Sequence, residues 1–110
     1  MIKNSKIIFV NEKLERAFNN LEENDSLKKF LKRAIEDIKK NAFCGTRIPK
    51  KQIPQEYIKK YKINNLWKYD LPKGWRLIYS ITTPNEVELI TAILDWFNHK
   101  TYERKFNYLF

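Results

Sequence analysis

The sequence predicts an α+β fold of order βααβββ, in which an N-terminal strand and a helical hairpin pack on an antiparallel sheet. Three observations carry that expectation. A short β-branched and aromatic run opens the chain, two stretches of helical apolar periodicity follow, and three strand-like stretches separated by turn residues fill the second half. With 110 residues, 43% of them hydrophobic and 15% aromatic, there is enough apolar surface for one core, so residues 1–110 are read as a single domain.

Lys6-Ile7-Ile8-Phe9-Val10 is long enough for one strand. Asn11 is placed to cap a helix whose apolar positions, Leu14, Ala17, Phe18 and Leu21, recur at helical spacing, with Glu12, Lys13, Glu15 and Arg16 outward. The polar break Glu22-Glu23-Asn24-Asp25-Ser26 leads into a clearer repeat, Leu27, Phe30, Leu31, Ala34, Ile35 and Ile38. So short a break makes the two helices an antiparallel hairpin. Gly45 closes that unit. From Thr46 to Gln55 the chain, punctuated by Pro49 and Pro54, reads as a loop or irregular strand. Pro54 lacks an amide proton, which costs nothing at the first helical position, so it is placed to open one or two turns over Glu56-Tyr57-Ile58-Lys59-Lys60-Tyr61.

From Asn65 onward the character changes. Leu66–Leu71, Trp75–Ile81 and Val87–Leu94 read as strands, and Pro72-Lys73-Gly74 and Thr83-Pro84-Asn85 supply turn residues for an antiparallel meander. In the middle strand Trp75, Leu77, Tyr79 and Ile81 share one face, expected to pack on the helices, while Arg76, Ile78 and Ser80 share the other. The last strand is apolar on both sides, through Ile90, Ala92 and Leu94 and through Leu89, Thr91 and Ile93. That places it centrally, with the N-terminal strand paired to it in parallel and the hairpin as the crossover.

Charge points to a partner. Twenty-two Lys and Arg against 13 Asp and Glu leave +9 at pH 7, a field that attracts nucleic acid or an acidic protein, or that serves solubility alone. Cys44 is the only cysteine, so an intramolecular disulfide is excluded; it reads as a small buried hydrophobe, not a nucleophile. Met1-Ile2-Lys3-Asn4-Ser5-Lys6 lacks the apolar run of a signal peptide and no stretch approaches transmembrane length, so a cytoplasmic location without membrane contact is expected.

The densest chemistry lies in Leu94-Asp95-Trp96-Phe97-Asn98-His99-Lys100-Thr101-Tyr102-Glu103-Arg104, where the only histidine stands beside lysine, tyrosine and arginine. Imidazole and phenol move protons, and lysine and arginine hold phosphate. Tyr102 has two readings: it orients a hydroxyl, acts as a base or stacks on a nucleobase, or it joins Phe106 on the packed face of a terminal helix. Asp95 is placed to position His99 or Lys100, or to pair with Arg76. One histidine and one cysteine build no transition-metal site, and Asp95 with Glu103 is a thin set for magnesium, so neither metal nor cofactor is expected. The tryptophans 67, 75 and 96 read as core, with base stacking as the alternative.

The element order, the segment Leu66-Trp67-Lys68-Tyr69-Asp70-Leu71-Pro72-Lys73-Gly74-Trp75-Arg76-Leu77-Ile78-Tyr79 and the ending His99-Lys100-Thr101-Tyr102-Glu103-Arg104 resemble the RelE/ParE superfamily of type II toxin–antitoxin toxins, most of all its RelE-like branch. The resemblance implies a curved antiparallel sheet and an mRNA-cutting toxin that acts in the ribosomal decoding site and is blocked by a wrapped antitoxin. It also implies catalytic roles for Arg76, matching the strand arginine, and Tyr102, matching the C-terminal tyrosine. His99, Lys100 and Arg104 fall where the branch places histidine or basic residues, and Lys50, Lys51 and Lys68 are candidates for its RNA-binding lysines. On this reading the 2′-hydroxyl of RNA attacks the adjacent phosphorus without a metal, Arg76 holds the scissile phosphate, and His99 shuttles the proton. Lys59, Lys60, Lys62 and Lys105 join the others as a general phosphate-binding surface. The purely structural roles are a cross-strand ion pair of Arg76 with Asp70 or with a glutamate of the last strand, and solvated lysines. ParE-like gyrase inhibition, or an inactive RNA- or antitoxin-binding module, is the alternative function. The long Gly45–Lys62 connection and the tail Lys105-Phe106-Asn107-Tyr108-Leu109-Phe110 depart from the family pattern.

Overall fold

Main-chain pairing builds a five-stranded mixed sheet, and the computed structural model describes residues 4–84 and 88–106 of it. The elements are β1 (Lys6–Phe9), α1 (Glu12–Asn20), α2 (Ser26–Lys40), β2 (Thr46–Arg47), α3 (Gln55–Tyr61), β3 (Trp67–Asp70), β4 (Trp75–Thr82), β5 (Ile90–Asn98) and α4 (His99–Phe106). Strand order is β1-β5-β4-β3-β2. β1 lies parallel to β5 and every other pair is antiparallel, so β5 is interior and the α1–α2 hairpin is the crossover. Asn85, Val87, Met1 to Lys3 and the tail from Asn107 fall outside the described residues. No helix among the described residues is long and apolar enough to cross a membrane.

The helical hairpin forms as its caps dictate. Asn11 Oδ1 accepts the Leu14 amide at 2.8 Å and Asp25 Oδ1 the Leu27 amide at 2.8 Å, satisfying amides that a helix start leaves unpaired. Leu31, Ala34 and Ile38 of α2 are fully buried against Leu77, Tyr79, Ile81 and Ile93. The first helix sits more shallowly: none of its residues is buried, and Ala17, expected on the apolar face, is exposed. Lys28 fills the gap between the helices, donating to the Leu21 carbonyl at 2.9 Å and to Glu23 at 2.8 Å. Hydrogen bonds from Lys28 and Lys32 hold the Glu23 carboxyl down at about 2.

The Arg76 face of the sheet is covered as well as the helix face. The 48–57 connection and the last helix cover it, so Ile48, Ile53, Tyr57, Tyr102 and Phe106 bury a second core on Leu66, Ile78, Leu94 and Phe97. Two-sided covering also explains why β4 is buried from Leu77 to Ile81 without alternation. Cys44, expected to be buried, is exposed, and residual desolvation together with Asp37 raises its thiol above the ordinary value. The pattern failed there because α2 stops at Lys40 and, past the buried Ala42, the turn leaves Phe43 and Cys44 facing outward.

Gly45 then passes very close to the sheet. A Cβ on it would stand 2.5 Å from the Lys68 carbonyl and 2.5 Å from the Tyr79 hydroxyl. The missing side chain lets the Tyr79 hydroxyl accept the Gly45 amide at 3.1 Å while donating to the Ala42 carbonyl at 2.9 Å. The segment read as a loop or irregular strand thereby gains a short edge strand, β2, which pairs Thr46 with Lys68 and Arg47 with Trp67.

Candidate functional site

A bulge in β5 decides which side chains reach the Arg76 face. Tyr79 pairs with Ile93 and Ile78 with Asp95, leaving Leu94 as the extra residue. Beyond it Asp95 and Phe97 point to the same face as Ile78 and Arg76, and Trp96 turns to the helix side, its ring 6.4 Å from that of Phe18 in α1. Asn98 ends the strand and caps α4, its Oδ1 accepting the Thr101 amide at 3.0 Å. His99 is therefore the first residue of a helix, with Tyr102 and Phe106 on the buried side.

On the facing strands the tight turn Pro72–Gly74 brings Arg76 opposite Asp70. The turn needs left-handed backbone at Lys73 (φ 61°) and Gly74 (φ 79°), and a Cβ on Gly74 would touch the His99 Cβ at 3.4 Å. The turn and the start of α4 therefore abut.

The result is a linked cluster. Arg76 Nε donates to Asp70 Oδ1 at 3.0 Å, and Nη1 lies 2.7 Å from His99 Nδ1. Its guanidinium carbon stands 4.5 Å from the Tyr102 ring centre. Lys68 adds a second cation, 5.6 Å from that centre and 3.7 Å from Asp70 Oδ1. His99 Nε2 lies 2.6 Å from Glu103 Oε1, one helical turn on.

These contacts select a tautomer. A guanidinium only donates, so Nδ1 of His99 must present its lone pair to Arg76. The ring proton then sits on Nε2 and is given to the Glu103 carboxylate. Two cations, Lys68 and Arg76, face two carboxylates, Asp70 and Glu103, so the cluster is balanced in charge; a phosphate has to draw Arg76 away from Asp70 and His99.

The structure thus gathers Arg76, His99, Tyr102 and Lys68. Of the two readings for Tyr102, its position fits the packed helix face: it is 1% exposed and stacks on Phe106 with ring centres 4.4 Å apart. Its buried ring is the floor on which both cations rest. Lys100 and Arg104, also spaced one turn apart, are exposed on the outer side of α4. Lys105 lies beside the cluster, 3.9 Å from Glu56 and over the rings of Tyr57 and Phe97. Lys50 and Lys51 do not join: Lys50 lines a cleft at the far end of β4, and Lys51 is exposed on the 3-10 turn before α3.

Asp95 fills neither of its expected roles. It accepts the Trp96 amide at 2.9 Å and faces Lys105, Lys60 and Glu56, while Arg76 takes Asp70 instead. Burial pushes its carboxyl above the ordinary value, against the pull of the Trp96 amide and the two lysines. Glu103 was passed over as a partner for His99, although their spacing of four on a helix was the available signal. No family model, no curated protein and no solved structure matches this chain.

Proposed function

We propose that this chain is the toxin of a type II toxin–antitoxin pair, with a RelE-like fold, and that it cleaves ribosome-associated mRNA without a metal. One observation carries the reading: the strand arginine and the only histidine, 22 residues of intervening chain apart, meet at 2.7 Å beside Lys68 and over the Tyr102 ring. The net charge of +9 and the likeness of the Leu66–Tyr79 and His99–Arg104 segments to that branch add support.

The chemistry follows from the contacts. An incoming phosphate competes with Asp70 for Arg76, whose planar fork suits two phosphate oxygens and remains charged when water leaves. When Arg76 shifts to the phosphate, Nδ1 of His99 is released as a proton acceptor for the 2′-hydroxyl, and Glu103 is already placed to stabilise the imidazolium that forms. The 2′-oxygen bonds to phosphorus, the P–O5′ bond breaks, and the departing oxygen takes a proton from a general acid, for which Lys68 is the candidate ammonium in the cluster. Products are a 2′,3′-cyclic phosphate and a 5′-hydroxyl.

The balanced charge of the cluster favours a second reading, a binding module of the same fold that holds RNA, an acidic antitoxin or gyrase without cutting RNA. Induced expression followed by primer extension on mRNA separates the two. Discrete cuts ending in 2′,3′-cyclic phosphate, unaffected by EDTA, are expected of the nuclease; intact mRNA under arrested growth rejects it.

A further inference from the structure

The cleft that takes Lys50 away from the Arg76 cluster has its own chemistry. It encloses about 270 Å³ and is walled by Phe43, Trp67, Arg47, Lys50 and Asn64, with Asn65, Ile81, Thr83 and Leu89 completing it. Two cations line it and, among the described residues, no carboxylate does. The contrast with the Arg76 cluster, where Asp70 pairs with both cations, is direct. Among the described residues, an anion entering this cleft displaces no ion-pair partner of Arg47 or Lys50.

Its aromatic wall is preorganised. Phe43 is 45% exposed, one of two large apolar side chains so placed among the described residues, and lies 5.5 Å from Trp67. Trp67 in turn stacks on Tyr79 at 6.2 Å, and the Tyr79 hydroxyl bonds fix the 42–45 turn that carries Phe43. Arg47 is held opposite Trp67 by the β2–β3 ladder. Asn65 is fully used, clasping the Ile81 amide at 2.9 Å and carbonyl at 2.8 Å, and its amide also donates to Asn64 Oδ1 at 2.8 Å. That leaves the Asn64 amide hydrogens to serve a ligand. A flat ring, a flanking negative charge and a hydrogen-bond acceptor are what this set fits together.

We propose that this cleft is a stacking subsite for one nucleotide of a single-stranded nucleic acid, with its base on Phe43 and Trp67 and its phosphate on Arg47 and Lys50. Ile81 lies five residues along β4 from Arg76, which places the cleft roughly 17 Å from the cluster along the strand. Ile81 shares the helix-side face with Leu77 and Tyr79, opposite Arg76, so the cleft and the cluster are separate sites on the two faces of the sheet. The subsite holds nucleic acid whether or not the Arg76 cluster cuts it, so it stands apart from the nuclease reading.

The test measures anisotropy of a labelled, uncleavable 2′-O-methyl oligouridylate hexamer titrated with the full chain across a salt series. Phe43→Ala is expected to weaken binding roughly 5- to 100-fold, and Phe43→Tyr, which keeps a stacking ring, to bind as the parent does. Arg47→Ala is expected to reduce the slope of log affinity against log salt by about 0.7, the share of one phosphate contact on a single strand. Both side chains are exposed, and thermal melts check that the variants fold. Parent-like binding by Phe43→Ala and Arg47→Ala overturns the proposal. So does polyglutamate that binds with the same dependence on Phe43, which would assign the cleft to an acidic peptide. Loss of cleavage in Arg76→Ala with the Phe43 dependence intact separates a failure at one site from a failure at the other.

Discussion

Replacing Arg76 with alanine tests the central cluster, because its structural and chemical costs differ in size. The side chain is 17% exposed and its partner Asp70 is 61% exposed, so their ion pair is worth about 0.2–1 kcal/mol. Resting on the Tyr102 ring at 4.5 Å adds about 0.5–2 kcal/mol. The variant should therefore lose about 1–3 kcal/mol. Even from a starting stability of about 5 kcal/mol, some 2 kcal/mol remains, which keeps roughly 97% of molecules folded. Unfolding then accounts for only a few per cent of any lost activity. If Arg76 stabilises charge on the scissile phosphate, its removal should cost about 3–4 kcal/mol in the transition state, a fall of roughly 10²–10³ in rate. Arg76→Lys keeps the charge but loses the fork and should fall between. Cleavage is read by primer extension on mRNA in a translating extract, and folding by circular dichroism melts of the same samples. An Arg76→Ala protein that melts lower yet cuts at the parent's rate would refute the assignment.

Two further predictions follow from neighbouring carboxylates. Arg76 and Glu103 together hold the His99 proton on Nε2, so nitrogen-15 spectra of Glu103→Ala should show the Nδ1–H form gaining population, further still with Arg76→Ala added, and cleavage should fall on the order of tenfold or more, with Glu103→Gln restoring part of both. An unchanged tautomer ratio in Glu103→Ala would sink the idea that this carboxylate sets the ring. Asp95 is held above its ordinary 3.8 by burial, so the folded state keeps that proton to higher pH than the unfolded chain. Stability contributed there is present at low pH and is lost as pH rises through the folded value. Asp95→Asn, which keeps an oxygen for the Trp96 amide, should melt higher than the parent near pH 7 and lose that advantage near pH 4. Equal melting differences at both pH values would count against the buried-charge account.

Much of the architecture was legible because it is local. Asn11 and the polar break before Leu27 mark helix starts through side chains that cap amides within three residues, and the Pro72-Lys73-Gly74 turn declares itself through the left-handed backbone that glycine permits. The apolar character of both faces of β5 identified it as interior, and its parallel pairing with β1 followed from the crossover. What periodicity missed was cover arriving from elsewhere. Nothing local to Arg76, Ile78 and Ser80 says that Ile48, Ile53 and Tyr57 close over their face beside the Tyr102 and Phe106 side of the last helix, and nothing local to Cys44 says that it lies outside.

The candidate site divides in the same way. By itself the sequence determined which chemical groups were available, a single histidine, a strand arginine after a tight turn and a strong positive charge, because composition and short spacing are one-dimensional facts. Only the tertiary structure decided which of them meet. The bulge at Leu94 brought Asp95 onto the Arg76 face, where it meets Lys105 and Lys60 while Arg76 takes Asp70, the cap at Asn98 aimed His99 at Arg76, and Lys50 lines a different cleft. Each outcome depends on register between strands far apart in the chain, where a shift of one residue moves a side chain to the opposite face.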